Sequence, residues 1–253
     1  MQDRSAVLRR GGDIAEIRLN RPPKLNALNL RLLQDLNAAV DQLHDEPELR
    51  AVVIRGEGRA FCAGLDLDMM AEQGMPEDFF PLQERAFASL ERLGAIVIAQ
   101  IHGHCLGGGL QLALACDIRV ASEGAVLGLP AALEGLPPGV SAWRLPRFVG
   151  IGRAMRLAIS GEHVGAQEAL TMGLVDYVLP DEGFAEAAHT IAAQYASAPH
   201  RAAVGIKETV RSAFDVKLDT AYQRTSEVIA ECLRGPDVAK ARQAWQARQA
   251  KSR

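Results

Sequence analysis

The chain lacks the features that mark several large classes of protein. No apolar run reaches the roughly 18 residues that a membrane-spanning helix needs, and residues 1–10 contain no apolar signal core. The net charge is only -3 over 253 residues, and no stripe of lysine and arginine stands out. These absences predict a cytoplasmic protein that neither crosses a membrane nor binds nucleic acid.

Cysteine is scarce as well. The four cysteines, Cys62, Cys105, Cys116 and Cys232, have none of the spacings typical of zinc or redox motifs. No neighbour in the sequence would activate one of these thiols. We therefore interpret them as small, buried or half-buried packing residues, and we expect no metal site.

What is present is an alternation of strand and helix patterns. Short strands are predicted at 7–10, 14–19, 51–54, 96–101 and 118–121, and amphipathic helices at 28–43 and 79–93. From residue 184 onward the pattern is almost entirely helical. This order predicts an α/β domain followed by helices. Because no G-x-G-x-x-G motif follows the first strand, periodicity alone does not separate the possible α/β arrangements.

The most informative segment runs from Gln100 to Asp117. An apolar strand enters the glycine cluster Gly107, Gly108 and Gly109, and an apolar helix follows directly. Glycines let a ligand approach the backbone, and the first N–H groups of a helix have no intrahelical partner. The sequence therefore predicts a site for an anion or for a developing oxyanion at this helix start.

Four stretches, in this order, resemble one known family. They are residues 19–28 (LNRPPKLNAL), 58–66 (GRAFCAGLD), 106–109 with 117–119 (LGGG and DIR), and 160–162 with 169–176 (SGE and ALTMGLVD). Together they resemble the crotonase superfamily, which is also called the enoyl-CoA hydratase/isomerase family. The resemblance covers nearly the whole chain.

The resemblance implies a fold and an assembly. The fold is a crotonase-like α/β spiral of ββα units, expected over residues 1–190, where acyl-CoA would bind. Residues 191–253 would form a C-terminal helical oligomerisation region, which builds a homotrimer or a dimer of trimers. The implied substrate is an acyl-CoA thioester of fatty acid metabolism, and no cofactor is expected beyond the coenzyme A that the substrate carries.

The resemblance also implies roles for particular residues. The backbone N–H groups of Leu65 and Gly108 fall at the two oxyanion-hole positions, where they would hold the thioester enolate. Lys24 and Leu25 fall where the family contacts the CoA nucleotide. Further CoA or substrate contacts are expected at Ala27, Ala63, Asp66 and Leu67. From its place before a helical pattern, Asp66 is also predicted to cap that helix.

The chain departs from the family pattern at its acids. Family hydratases carry one glutamate two residues after the triple glycine and a second glutamate twenty residues later. These positions are Gln111 and Ala131 here. Gly139 occupies the aspartate position of some isomerases and of a dehalogenase branch. None of the three side chains can exchange a proton at neutral pH, so hydratase activity is not expected.

Three hypotheses for the reaction remain open. The first is an isomerase or single-base lyase that uses Glu134, which lies three residues past Ala131; the alternative is that Glu134 is a surface glutamate or forms an ion pair with Arg144 or Arg147. The second is another enolate reaction of the same fold, such as decarboxylation or thioester hydrolysis. The third is an acyl-CoA-binding protein without catalysis. Two further candidates for proton transfer, His102 and His104, flank Gly103 before the glycine cluster.

Overall fold

The computed structural model describes residues 4–251, which form an α/β fold. Its strands are β1 (Ala6–Gly11), β2 (Ile14–Leu19), β3 (Ala51–Gly56), β4 (Ile96–Ile101), β5 (His104–Leu106), β6 (Ile118–Ser122), β7 (Val126–Gly128), β8 (His163–Gly165) and β9 (Tyr177–Leu179). Its α-helices are α1 (Leu30–His44), α2 (Leu67–Gln73), α3 (Phe79–Arg92), α4 (Gly108–Ala115), α5 (Ser141–Arg144), α6 (Pro146–Val149), α7 (Ile151–Ser160), α8 (Ala166–Met172), α9 (Phe184–Ala196), α10 (His200–Arg211), α11 (Leu218–Arg234) and α12 (Pro236–Lys251). Short 3₁₀ helices cover Pro22–Lys24 and Pro130–Glu134.

The larger sheet has the strand order β1-β2-β3-β4-β6-β9. The first two strands form an antiparallel hairpin, and each later neighbour pairs in parallel. Because these strands run in one direction, the loops that follow β3, β4, β6 and β9 meet at one edge of the sheet. A smaller sheet, ordered β5-β7-β8, lies downstream of β4 in the chain.

Helices cover both faces of the larger sheet. On one face, the apolar stripes of α1 and α3 enter the main core, with Leu36, Val40 and Phe87 fully buried. On the other face, α9 packs its alanines against Val53 and Ile98 in a second cluster. This two-sided burial explains why β3 and β4 are apolar over most of their length.

The predicted helices are confirmed with small shifts at their ends. The pattern at 28–43 forms α1, which begins after Asn29 because the Asn29 side chain accepts the Leu32 N–H at 2.9 Å. The pattern at 79–93 forms α3, which ends at Arg92. Both helices keep their predicted apolar face toward the core.

The chain divides into two compact units, one ending at Ala196 and the other beginning at Ser197. The predicted boundary after residue 190 falls inside α9, which packs on the sheet. In the second unit α10 packs on α11. The two helices are so close that a Cβ added to Gly205 would lie 2.3 Å from a side-chain atom of Val228. Within the described residues, none of the helices is long and apolar enough to cross a membrane.

Candidate active site

Two loops of the first unit are held side by side. The loop after β3 places Cys62 against β5: its N–H donates to His104 O at 3.0 Å, and its carbonyl accepts the Leu106 N–H at 3.0 Å. The Phe61 N–H also donates to His102 O at 2.8 Å. The loop that leads to the glycine cluster is therefore fixed against the loop that carries Leu65.

Leu65 is held by the residues on both sides of it. The Leu28 N–H donates to Gly64 O at 2.6 Å, and the Asp66 N–H donates to Leu28 O at 3.0 Å. No backbone hydrogen bond of the Leu65 N–H is found between residues 4 and 251. Leu65 thus presents a fixed N–H group that has no acceptor in this part of the chain.

Gly108 is the second residue whose backbone N–H is predicted to act as a donor. It is the first residue of α4, so its N–H has no intrahelical acceptor. A Cβ on Gly64, whose φ is +101°, would lie 3.5 Å from Gly108 N and 3.0 Å from Leu106 O. The residue before Leu65 is therefore packed against the start of α4, where the Gly108 N–H lies.

An ion pair secures the Leu65 loop. Arg21 donates to Ala27 O at 2.5 Å and to the Asp66 carboxylate at 2.8 Å. The other Asp66 oxygen accepts the Met69 N–H at 3.3 Å, which confirms the predicted helix cap. Burial opposes ionisation of Asp66, but the hydrogen bonds from Arg21 and Met69 lower its pKa below the ordinary value.

The residues predicted to contact CoA lie around this loop. The Ala63 N–H donates to Leu25 O at 2.9 Å, and Leu25 adopts a φ of +49°. Lys24 is exposed and pairs with Asp68, which raises the pKa of Lys24. Leu67 is half exposed, and Ala27 is buried. Lys24 and Leu67 are thus accessible to a ligand, whereas the Ala27 N–H donates to Lys24 O and the Ala27 carbonyl accepts from Arg21.

Gln111 lies in a buried polar cluster with two other side chains, Gln83 and Ser141. Its Oε1 accepts a hydrogen bond from Gln83 Nε2 at 3.0 Å and one from Ser141 Oγ at 3.4 Å. A Cβ on Gly108 would lie 3.8 Å from Gln83 Oε1, so this cluster adjoins the second backbone donor. Gln83, Gln111 and Ser141 are each at least nine-tenths buried.

Sequence reasoning did not identify Gln83 or Ser141. A signal for Gln83 existed, because it occupies a buried position in the apolar stripe of α3, between Phe79 and Phe87. A glutamine at such a position needs a polar partner. Ser141 offered no comparable signal, since its contact with Gln111 spans thirty residues.

The other candidate acid positions carry no proton-exchanging group. Ala131 is buried in the 3₁₀ helix Pro130–Glu134, and a Cβ on Gly139 would lie 3.9 Å from Gln111 Oε1. Glu134 is the last residue of that 3₁₀ helix and is exposed. The expected alternative pairing of Glu134 with Arg144 is wrong, because Arg144 is buried and binds Glu84 and Glu91 instead.

The two candidate histidines and the four cysteines differ in their exposure to solvent. His102 Nε2 lies 2.9 Å from Gly58 O, and His104 is exposed on β5. Cys62, Cys105 and Cys116 are buried, and Cys232 is half-buried, as expected. Burial raises the pKa of the Cys62 thiol to about 12, which keeps it protonated at neutral pH.

Comparison with known proteins identifies the family. A family model described as enoyl-CoA hydratase/isomerase matches residues 9–251. The chain belongs to the enoyl-CoA hydratase/isomerase family. It is 34% identical over 241 residues to the short-chain-enoyl-CoA hydratase of Clostridium acetobutylicum, a match that covers 94% of this chain and 92% of that protein.

Solved structures of the family share the fold. The crystal structure of an enoyl-CoA hydratase from Bacillus anthracis superimposes with a TM-score of 0.90, at 34% identity and 96% coverage of both chains. A structure of a Thermobifida fusca YX protein in complex with CoA superimposes with a TM-score of 0.82, at 31% identity, covering 94% of this chain and 95% of that one. The predicted crotonase-like α/β fold is therefore confirmed.

Among residues 4–251, no three His, Cys, Asp or Glu side chains are grouped so that they could hold a metal ion.

Proposed function

We propose that this protein acts on an acyl-CoA thioester by stabilising the enolate of its acyl group. The N–H groups of Leu65 and Gly108 donate to the thioester oxygen, whose negative charge grows as the enolate forms. One such preorganised donor typically contributes on the order of 3 kcal/mol to barrier lowering. The observation that supports the proposal is the packing of Gly64, the residue before Leu65, against Gly108, whose N–H has no acceptor within its helix.

Hydration by the two-carboxylate route does not fit these side chains. That route needs one group to activate water and another to deliver a proton to the α-carbon. Gln111 is a carboxamide and Ala131 an alkyl side chain, so neither can exchange a proton. We therefore propose an enolate-forming reaction other than efficient hydration.

Decarboxylation of a carboxyacyl-CoA is the second candidate, and the uncharged cluster around Gln111 favours it. The bond between Cα and the carboxylate carbon breaks, its electron pair forms the enolate, and CO₂ leaves; Cα then takes a proton from water. No base is required to create the enolate. The neutral amide of Gln111 also suits the substrate carboxylate, which must lose its charge as CO₂ leaves. A positively charged partner would instead stabilise the carboxylate in the ground state and so oppose the reaction.

A single-base isomerase that uses Glu134 is a further hypothesis from the sequence. The exposure of Glu134 is compatible with this role only if substrate covers the carboxylate. Glu134→Gln tests it directly: the isomerase hypothesis requires loss of double-bond migration in an enoyl-CoA with unchanged CoA-ester affinity. Unchanged turnover in this variant rejects it.

The experiment that tests the main proposal incubates purified protein in D₂O with three classes of CoA thioester: carboxyacyl, enoyl and saturated. We expect a carboxyacyl-CoA such as methylmalonyl-CoA to release CO₂ and to gain deuterium at Cα, while crotonyl-CoA hydrates slowly. Gly64→Ala should slow both reactions by roughly 10²–10³-fold. Acyl-CoA binding without turnover of carboxyacyl, enoyl or saturated thioesters would instead identify a binding protein.

We also propose that α10–α12 mediate assembly into a homotrimer or a dimer of trimers. Several large apolar side chains of α10 and α11 are exposed, among them Ile206, Val210, Tyr222 and Ile229. Exposed apolar surface of this kind is typical of interaction sites. Light scattering tests the proposal, because a trimer has three times the chain mass of 27.2 kDa.

A further inference from the structure

A second cleft opens in the first unit, at the carboxyl ends of β3, β4 and β6 and beside the first turn of α9. Its volume is about 660 Å³, which is within the usual range for small-molecule sites. The carboxyl ends of parallel strands are also where open α/β sheets bind ligands. The lining residues do not include Leu65, Gly108 or Gln111, so the cleft is separate from the candidate active site.

Two buried polar side chains, Gln100 and Ser122, form part of the floor. Gln100 is 6% exposed and Ser122 is 3% exposed, and both line the cleft. They point the same way from the sheet, because Gln100 is in register with Val120, two residues before Ser122. Neither side chain has a hydrogen-bond partner among residues 4–251.

Within the described residues these two polar groups have no partner, so solvent or a ligand must supply one. Burying an amide or hydroxyl without a hydrogen bond costs free energy, and an apolar residue would avoid that cost. The atoms are not sealed from solvent, since the structure leaves them open toward the cleft. The floor therefore offers a ligand one amide and one hydroxyl, each able to donate and to accept.

The one arginine of the cleft wall, Arg55, is not available as an anion site. Its guanidinium binds Glu16 at 3.2 Å and Glu57 at 3.1 Å, and Arg18 binds the same two carboxylates. Two positive and two negative charges thus compensate each other beside Gln100. This ring of four ion-paired side chains therefore offers no net positive charge to an anionic ligand such as a phosphate.

The opposite wall is acidic. Asp181 follows β9, and Glu186 lies in the first turn of α9; both are exposed and line the cleft. Asp181 accepts the Gly124 N–H at 3.1 Å with one oxygen. A Cβ added to Gly124 would lie 3.0 Å from the other carboxylate oxygen of Asp181. Gly124 therefore packs closely against this carboxylate.

We propose that this cleft is a second binding site, for a small organic cation that also carries hydroxyl groups. The ammonium group lies at Asp181 and Glu186, and the hydroxyl groups bind Gln100 and Ser122. The walls and the floor indicate this class of ligand. Asp181 and Glu186 are negatively charged, the charge of Arg55 is compensated by Glu16 and Glu57, and the Gln100 and Ser122 side chains are uncharged and polar. The acyl-CoA substrate, with its phosphates, belongs to the other site.

The test uses the full chain and glucosamine as the probe, with saturation-transfer NMR titration. Glucosamine carries both an ammonium and hydroxyl groups; glucose lacks the charge, and cyclohexylamine lacks the hydroxyls. We expect saturable binding of glucosamine that is about tenfold tighter than that of either comparison compound. Gln100→Leu and Asp181→Asn should each weaken it by about tenfold.

Two further variants keep the test decisive. Ser122→Ala removes only one oxygen and should also weaken glucosamine binding, whereas Gln111→Leu, in the other site, should leave it unchanged. Equal binding of glucosamine by wild type and Gln100→Leu, or absence of saturable binding, overturns the proposal. Binding that appears only on dilution to monomer also overturns it, since a second copy of the chain would then be the occupant.

Discussion

The two halves of the candidate active site are built in different ways. The backbone half, Leu65 and Gly108, depends on glycines that have no sterically acceptable replacement: a Cβ on Gly109 would lie 2.2 Å from Cys62 O. The side-chain half consists of Gln83, Gln111 and Ser141, whose backbones any residue could adopt. Backbone donors are therefore constrained by the fold, whereas the groups that choose the reaction can change without disturbing it.

This difference explains how a chain can keep a family's fold and lose its usual acids. The loops around Cys62 are held by backbone hydrogen bonds that do not depend on side-chain identity. Gln111 occupies a helix position whose backbone N–H still donates to Gly107 O at 3.0 Å. A carboxylate and an amide at that position would differ in proton transfer without changing this backbone hydrogen bond.

The largest expected effect comes from restoring acids to the side-chain half. Gln111→Glu combined with Ala131→Glu should increase hydration of crotonyl-CoA, because a positioned acid or base typically contributes roughly 10²–10⁴-fold. Steady-state hydration kinetics measure the change. The matched control, Gln111→Glu with Ala131→Gln, has the same bulk but only one acid. If the folded double-acid variant hydrates no faster than wild type, the two halves are not independent.

The next effect comes from damaging the backbone half. Gly64→Ala places a Cβ 3.0 Å from Leu106 O at a φ of +101°, which shifts the Leu65 N–H. We expect kcat for any enolate reaction to fall by roughly 10²–10³-fold. Gly12→Ala is the matched control, because it has a φ of +70° and no atom within 4 Å of the new Cβ. Full activity in Gly64→Ala would contradict the oxyanion role.

A smaller effect is expected from the support of Gln111. Gln83→Leu removes the donor to Gln111 Oε1 in a buried cluster, which should lower the free energy of unfolding by about 1–3 kcal/mol. Denaturant unfolding measures this loss, and kcat/KM measured in parallel reports any displacement of Gln111. Gln83→Glu is the comparison, because a carboxylate can only accept and would turn the Gln111 amide around. No change in either quantity would mean that Gln83 does not position Gln111.

The smallest effect concerns the anchor of the Leu65 loop. Asp66 has a lowered pKa in the folded protein, so its stabilisation is present above the unfolded pKa of about 3.9 and is lost as the pH falls through the folded pKa. Asp66→Asn should therefore lower stability by about 1 kcal/mol at pH 7 and flatten its dependence on pH below about 4. Thermal unfolding across this range is the measurement, with Asp68→Asn as an exposed control. A steep acid dependence that persists in Asp66→Asn would show that another group anchors the loop.

Local patterns were enough to predict much of the fold and one half of the site. The apolar spacing of α1 and α3, the cap at Asp66 and the glycine cluster at the start of α4 all depend on residues a few positions apart. The roles of Gln83 and Ser141 could not be predicted, because their hydrogen bonds to Gln111 span 28 and 30 residues. The exposure of Glu134 likewise depends on how the 3₁₀ helix lies on the rest of the unit.

By itself, the sequence determined the family, the α/β class and the absence of a carboxylate at Gln111 and Ala131, since these follow from residue identities and short-range spacing. Only the tertiary structure decided that Gly64 packs against Gly108 and that two distant side chains bind Gln111. The tertiary structure also decided that Gln100 and Ser122 line a second cleft, where neither has a hydrogen-bond partner among the described residues. The physical reason is that local propensity and sterics act between neighbours in the chain. Burial and hydrogen-bond satisfaction are settled only when distant segments pack together.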